Sequence, residues 1–289
     1  MPVRAAPPTP CPRAMNPTNH NSPIGIFDSG VGGLSVLRAV RAQLPEENVI
    51  YLGDQVHVPY GPRPLDEVCA FSEEITRFLL AKDAKLVVVA CNAASAAALL
   101  PLRRTFPDVS FVGMEPAVKP AAEQTHSGVV GVLATPATFQ GALYASVIER
   151  FAQDVTVLQS TCPGLVAQIE RGALDTAETE AILRKALLPM LEKGIDTVVL
   201  GCTHYPFVIP LIERIAGPKV RVIDPAPAVA RQVRRLLEAG GLRRQAGEKA
   251  VTTYYTTAQA DRLESLLPIL IGVGQGVKEL RWVDGQLRD

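Results

Sequence analysis

The stretch TVVLGCTHY, residues 197–205, ends an apolar run on a thiol, a hydroxyl and an imidazole in succession. Residues 86–94, LVVVACNAA, end a similar run on another cysteine, 111 residues earlier. Continuous apolar runs of this length are what strands covered on both faces require. The carboxyl ends of such strands are where open parallel sheets bind ligands. One cysteine at a strand end is ordinarily a small buried hydrophobe. Two at corresponding strand ends need another explanation, and it depends on whether the chain repeats itself.

It does. GIFDSGVG at 25–32 answers GVLATPAT at 131–138, and VIYLGD at 49–54 answers VTVLQS at 155–160, both at an offset of 106 residues. With the cysteine-bearing runs, three matches follow in one order. Further short apolar runs lie at 110–114 (SFVGM) and 220–224 (VRVID). Helical patterns such as GLSVLRAVRAQL, LDEVCAFSEEITRFLLAK and AETEAILRKALLPMLEKG alternate with them, the last ending on Gly194, where a left-handed cap belongs. Strands alternating with helices imply parallel sheets built from βαβ units. The fold class expected is α/β, with two pseudo-symmetric domains and Cys91 and Cys202 at equivalent strand ends.

A chain of 289 residues, 47% hydrophobic, is long enough for two cores. Its formal net charge of zero and lack of a basic cluster argue against a nucleic-acid partner. No apolar run approaches the roughly 18 residues of a membrane span. The five cysteines are Cys11, Cys69, Cys91, Cys162 and Cys202, odd in number, far apart and without a CxxC pair. That pattern suggests neither a disulfide framework nor a metal site, and fits a cytoplasmic, reducing compartment. Residues 1–22, rich in proline and without the apolar core of a secretory signal, are expected to be a disordered tail. Cys11 within it is incidental; Cys69 and Cys162 have no partner pattern and are expected to be structural.

Each remaining motif has a functional and a bland reading. DSGVGG, 28–33, joins a strand to a helix; its glycines would admit an anion to backbone N–H groups, or Asp28 and Ser29 would simply cap the turn. Its glycine spacing is not that of a dinucleotide loop. In VPYG, 58–61, Tyr60 and the Gly61 amide either hold a carboxylate or form a plain loop; Asp54 is equally ambiguous. In ACNAAS, 90–95, Cys91 beside Asn92 precedes a helix whose N-terminus would acidify a thiol, unless the cysteine is inert and buried. In GCTH, 201–204, His204 either assists the Cys202 thiol or is hydrogen-bonded in a loop.

Together DSGVGG, VPYG, ACNAAS and GCTHYP resemble the glutamate racemases of the cofactor-independent aspartate/glutamate racemase family, in family order and spacing from Ile24 onward. The resemblance implies two α/β domains with the active site between them, and Cys91 and Cys202 as catalytic thiols. Asp28 and His204 would assist them, and Asp28, Ser29, Tyr60, Gly61, Asn92, Ala93, Thr203 and His204 would bind substrate. Asp54 and Glu170 match supporting acidic positions. It also implies L- and D-glutamate as substrates, no cofactor, and a role in supplying D-glutamate for peptidoglycan. Cys202 would deprotonate the L enantiomer and Cys91 the D. The family commonly has Thr where this chain has Ala93, so a hydroxyl contact there is absent. By the family's habit, residues 23–115 and 226–289 would form one domain and 116–225 the other. Aspartate racemase is the alternative, but those enzymes typically carry Glu in place of His204. A homodimer is left open. A thiol oxidoreductase would need vicinal or CxxC cysteines.

The chemistry agrees. Racemisation removes the α-proton and returns one from the opposite face, so two acid/base groups must flank the carbon. Opposed thiols from two similar halves supply that placement.

Overall fold

A computed structural model of the chain describes residues 19–245, 247, 249–272 and 276–289. The first half runs β1 (Ile24–Asp28), α1 (Leu34–Gln43), β2 (Val49–Gly53), α2 (Leu65–Ala81), β3 (Leu86–Val89), α3 (Asn92–Thr105) and β4 (Phe111–Gly113). Every residue of β1, β2 and β3 is buried, because helices cover both faces of the sheet. Asp66 and Glu67 lie in the first turn of α2, where the helix dipole favours negative charge.

The second half begins with α4 (Val118–Gln124), β5 (Val129–Ala134), α5 (Pro136–Gln140), α6 (Ala142–Phe151) and β6 (Thr156–Ser160). It continues through α7 (Leu165–Ile169), α8 (Ala177–Leu191), β7 (Thr197–Gly201), α9 (Ile209–Ala216) and β8 (Arg221–Ile223). Thr176 caps α8 by accepting from the Thr179 N–H at 3.3 Å, and Gly194 beyond it has φ +79°. The chain then passes through α10 (Ala226–Ala239), β9 (Thr252–Thr256), α11 (Ala260–Ile271), β10 (Val277–Glu279) and a hairpin of β11 (Arg281–Val283) and β12 (Gln286–Arg288).

The two sheets share a plan. The first has the order β10-β9-β2-β1-β3-β4 and the second β6-β5-β7-β8, so β2-β1-β3-β4 and β6-β5-β7-β8 are the same arrangement. All pairings within both sheets are parallel. In each half the strand order reverses beside the first strand, at β1/β3 and at β5/β7. Those are the crevices in which open α/β sheets bind ligands. Cys91 follows β3 and Cys202 follows β7, so both thiols sit at these crevices.

Two expectations are corrected. Residues 19–22 are not part of a disordered tail: they form a turn, with the Ser22 N–H donating to the Asn19 carbonyl. Lys85 donates to the His20 carbonyl at 2.8 Å and Asn48 to the Asn21 carbonyl at 2.9 Å, which ties the turn to the first sheet. The tail at 1–18, with Cys11, lies outside the described residues. The strands β9 to β12 are absent from the apolar-run reading, and β9 is an interior strand between β2 and β10. No described helix is long and apolar enough to cross a membrane.

Candidate active site

A cleft with about 270 Å³ of empty space opens between the two strand-end crevices. Ser29, Tyr60, Gly61, Cys91, Asn92 and Ala93 line it from the first half, and Thr135, Val166, Cys202, Thr203 and His204 from the second, with Pro59 at its edge. Thus nine of the sequence-named residues meet in one cavity, while Asp28, Asp54 and Glu170 lie directly behind its wall.

Cys91 caps α3: its sulfur accepts the Ala94 N–H at 3.5 Å. The thiol donates to Ser29 Oγ at 3.9 Å, and the Asp28 carboxyl acts on it electrostatically. Burial, reinforced by the Asp28 carboxyl, pushes the Cys91 thiol well above the usual range. Asp28 is itself fully buried, and burial raises its carboxyl despite the opposing charge of His204 and the Gly33 N–H. Cys91 is therefore a thiol at neutral pH.

The other side is built differently. Cys202 Sγ lies 3.8 Å from His204 Nδ1, and His204 Nε2 lies 2.6 Å from Glu170 Oε1. Burial disfavours charge on His204, but its hydrogen bonds to Cys202 and Glu170 outweigh that and hold the imidazole well above its usual range. Burial likewise opposes charge on Glu170, and His204, Val31 N–H and Gln55 overcome it, so the carboxyl sits below its ordinary value. Cys202 is thus presented with an imidazolium, itself neutralised by a carboxylate.

The DSGVGG loop is resolved by its contacts. The N–H groups of Gly30 and Gly33 donate to Asp28 Oδ2 at 3.2 and 2.9 Å, and that of Val31 to Glu170 Oε1 at 2.7 Å. The anions it cradles are the protein's own carboxylates. A Cβ on Gly30 would overlap Glu170, and one on Gly32 would overlap His204 and Thr203. These glycines let the first half approach the second. Thr203 Oγ1 donates to Asp28 Oδ1 at 3.4 Å, and Ser35 Oγ to the Thr203 carbonyl at 2.9 Å, across the same junction.

Tyr60 lines the cleft, and its hydroxyl donates to Asp54 Oδ2 at 2.5 Å. Asp54, fully buried, further accepts from His57 at 2.9 Å and from Thr257 and Trp282 at 2.8 Å each. It fixes the Tyr60 loop without touching the cavity. Asn92 is the reverse case: neither end of its buried amide has a hydrogen-bond partner among the described residues. Buried amides are nearly always paired, so one aimed at a cleft marks where a polar ligand binds. Asn92 and Ala93 also open α3, and first-turn N–H groups have no partner within their helix.

Thr135 and Val166 are cleft residues that motif reading missed, although the repeat places Thr135 opposite Ser29 at the same offset of 106 residues. Cys162, expected to be structural, is buried beside Tyr205 and Cys202, and burial raises it to about 12, so it remains a thiol. All described cysteines are free, and no described cluster of three or more His, Cys, Asp or Glu could hold a metal ion.

Two thiols brought to one cleft from the strand ends of two matching sheets, each with its own proton partner, define an isomerase that inverts a carbon centre by acid/base chemistry. The chain belongs to the Asp/Glu/hydantoin racemase family, whose model matches residues 33–233. A glutamate racemase of Roseiflexus sp. (strain RS-1) is 53% identical over 246 residues, covering 85% of this chain and 90% of that protein. The structure of glutamate racemase isoform RacE1 from Bacillus anthracis superposes with a TM-score of 0.81 at 32% identity, over 90% of this chain and 98% of that one. That of the Francisella tularensis glutamate racemase, in complex with D-glutamate, gives 0.78 at 28% identity, over 90% and 97%.

Proposed function

We propose that this chain interconverts L- and D-glutamate in the cytoplasm and supplies D-glutamate for peptidoglycan synthesis. The observation that carries the reading is the pair Cys91 and Cys202, lining one cleft from equivalent strand ends of two halves. Substrate carboxylates would be held by the unpaired Asn92 amide, the N–H groups opening α3, and Ser29, Thr203 and Gly61. For L-glutamate, the Cys202 thiolate takes the α-proton, negative charge moves into the α-carboxylate, and the Cys91 thiol donates a proton to the opposite face. The Cys91 thiolate and Cys202 thiol that result run the reaction from D-glutamate. Asp28 serves Cys91 and the His204–Glu170 pair serves Cys202; no step calls for a metal or cofactor.

The reading takes residues 23–115 with 226–289 as one closing unit and 116–225 as the other. The pairing of β9 with β2 supports it, as does the packing of α10 on α1. The test is chiral detection of D-glutamate after incubation with L-glutamate, alongside aspartate. Cys91→Ser and Cys202→Ser should each abolish racemisation in both directions, because every turnover uses both faces. With a β-leaving-group analogue, elimination needs only one base, so Cys91→Ser should process mainly the L analogue and Cys202→Ser mainly the D. Both variants favouring one enantiomer, or either racemising near the wild-type rate, defeats the two-thiol scheme.

A further inference from the structure

Behind Glu170 runs a hydrogen-bonded chain that no family motif includes. Thr256, the last residue of β9, is fully buried. Its Oγ1 accepts from the Ala258 N–H at 3.1 Å and donates to Gln55 Oε1 at 2.8 Å. Gln55, itself 9% exposed, donates from Nε2 to Glu170 Oε2 at 3.0 Å. The chain thus starts on the strand that returns to the first sheet and ends on the carboxylate behind His204.

Each polarity in this chain follows from the next. A backbone N–H can only donate, so Thr256 Oγ1 accepts from Ala258 and keeps its own proton to give. That proton goes to the Gln55 carbonyl, which turns the Gln55 NH2 toward Glu170. The other Glu170 oxygen faces the Val31 N–H and His204 Nε2. Apart from His204, whose ring can donate or accept, every group around the carboxyl is then a donor, so a protonated Glu170 could give its proton only to a neutral His204. The titratable groups facing Glu170 are His204 from the turn after β7, Asp28 at the end of β1 and Tyr51 on β2. Of these only His204 favours the carboxylate form.

We propose that Gln55, oriented by Thr256, is a positioning residue that keeps Glu170 ionised and so keeps the proton of the Cys202 side on His204. The inference rests on the racemase reading for its kinetic consequence but not for its direct one. The Gln55 donor stabilises the Glu170 carboxylate whether His204 is protonated or not. Its loss should therefore raise the acid limb of activity and leave the alkaline limb in place.

The test uses the full chain with Gln55→Met, an unbranched side chain that cannot donate, and with Thr256→Val and Thr256→Ser. Two readouts are taken against pH: kcat/KM for glutamate racemisation, and the rate at which iodoacetamide alkylates Cys202, followed at peptide level by mass spectrometry. The alkylation profile needs no turnover. If wild type does not racemise glutamate, the functional reading fails while this readout still judges the relay. A lost hydrogen bond to a charged group corresponds to an upward shift of about one pH unit in the acid limb for Gln55→Met. Thr256→Val should shift it in the same direction by less, because the amide can then turn over, and Thr256→Ser should restore the wild-type profile. Unshifted acid limbs in both Gln55→Met and Thr256→Val overturn the proposal. So does a loss of rate that is uniform across pH, since that is what a merely structural role produces.

Discussion

Replacing Glu170 by Gln removes one charge from the active site and leaves the packing nearly intact. The Val31 N–H, 2.7 Å from Oε1, requires an acceptor, so the new carbonyl oxygen must stay there, still facing His204. The new NH2 then meets Gln55, whose amide must turn over; its own NH2 then faces Thr256 Oγ1, a hydroxyl able to accept. Every hydrogen bond except the one Thr256 gives can therefore be remade, and the melting temperature should fall only slightly. What cannot be remade is the charge opposite His204. A hydrogen bond to a charged partner contributes about 1.5–3 kcal/mol, which at 1.4 kcal/mol per decade is roughly 10- to 100-fold in kcat/KM. The sign of the pH effect is fixed as well. His204 is held above its usual range in part by Glu170, so without that charge the imidazolium is lost at lower pH. The alkaline limb of kcat/KM should move down, and the deficit should widen as pH rises. Chiral assays of both directions across the range where imidazoles titrate, roughly pH 5 to 8, and above it measure both effects. A variant within about threefold of wild type, with its alkaline limb unmoved, would show that the buried His204–Glu170 pair plays no part in proton transfer.

Asp54→Asn cannot satisfy four donors at once, since Asn offers one acceptor oxygen where Asp offers two. A stability loss of about 2–3 kcal/mol is expected, read by calorimetry as a fall of roughly 5–10 °C in Tm, with weakened substrate binding as the Tyr60 loop loosens; an unchanged Tm would refute it. Ala93→Thr should change kcat/KM by less than about tenfold, because the binding group there is taken to be the backbone N–H; a much larger gain would show an unused contact. Dialysis against a chelator and treatment with hydroxylamine should both leave racemisation intact, and activity restored by added metal or pyridoxal phosphate would overturn the cofactor-independent reading.

Eight strands were readable as short apolar runs, each within two residues of its observed span; burial on both faces leaves no room for alternation in β1, β2, β3 and β7, whereas β6 and β8 are partly exposed. The strand β9 was not, because its sequence TTYYT is β-branched and aromatic but not apolar. Its Thr256 is buried only because Gln55 satisfies the hydroxyl, a partner 201 residues away that no local pattern announces. The same holds in the site. Cys91 and Cys202 were marked by the repeat, and Thr135 was marked there too but lay outside the motifs. Asp54 was ambiguous at the end of its strand and Glu170 entered only through family resemblance, since a lone carboxyl in VIYLGD or VAQIERG carries little signal of its own. Their hydrogen-bond partners lie on segments far off in sequence, which only the folded chain brings together.

The repeat that built the scaffold did not copy its proton chemistry. Position 28 is Asp in the first half, and its counterpart at 134 is Ala; the second thiol is served instead by His204 and Glu170. Fold symmetry explains why two thiols oppose one another, and the broken symmetry explains how they differ at rest. Cys91 keeps its proton beside a buried carboxyl, while Cys202 faces an imidazolium, so the two sides of the cleft rest in different electrostatic surroundings. Yet the enantiomers have equal free energy in water, so the equilibrium constant is unity and kcat/KM must be the same in both directions. Both reactions draw on the same equilibrating pool of free-enzyme forms and cross one barrier, whatever the resting protonation. The asymmetry can therefore appear only in the bound states, where kcat and KM for one direction must differ from those of the other by the same factor. Measured kcat and KM should show that paired difference, and Glu170→Gln, which weakens the imidazolium on one side only, should change its size while leaving the ratio of the two kcat/KM values at unity.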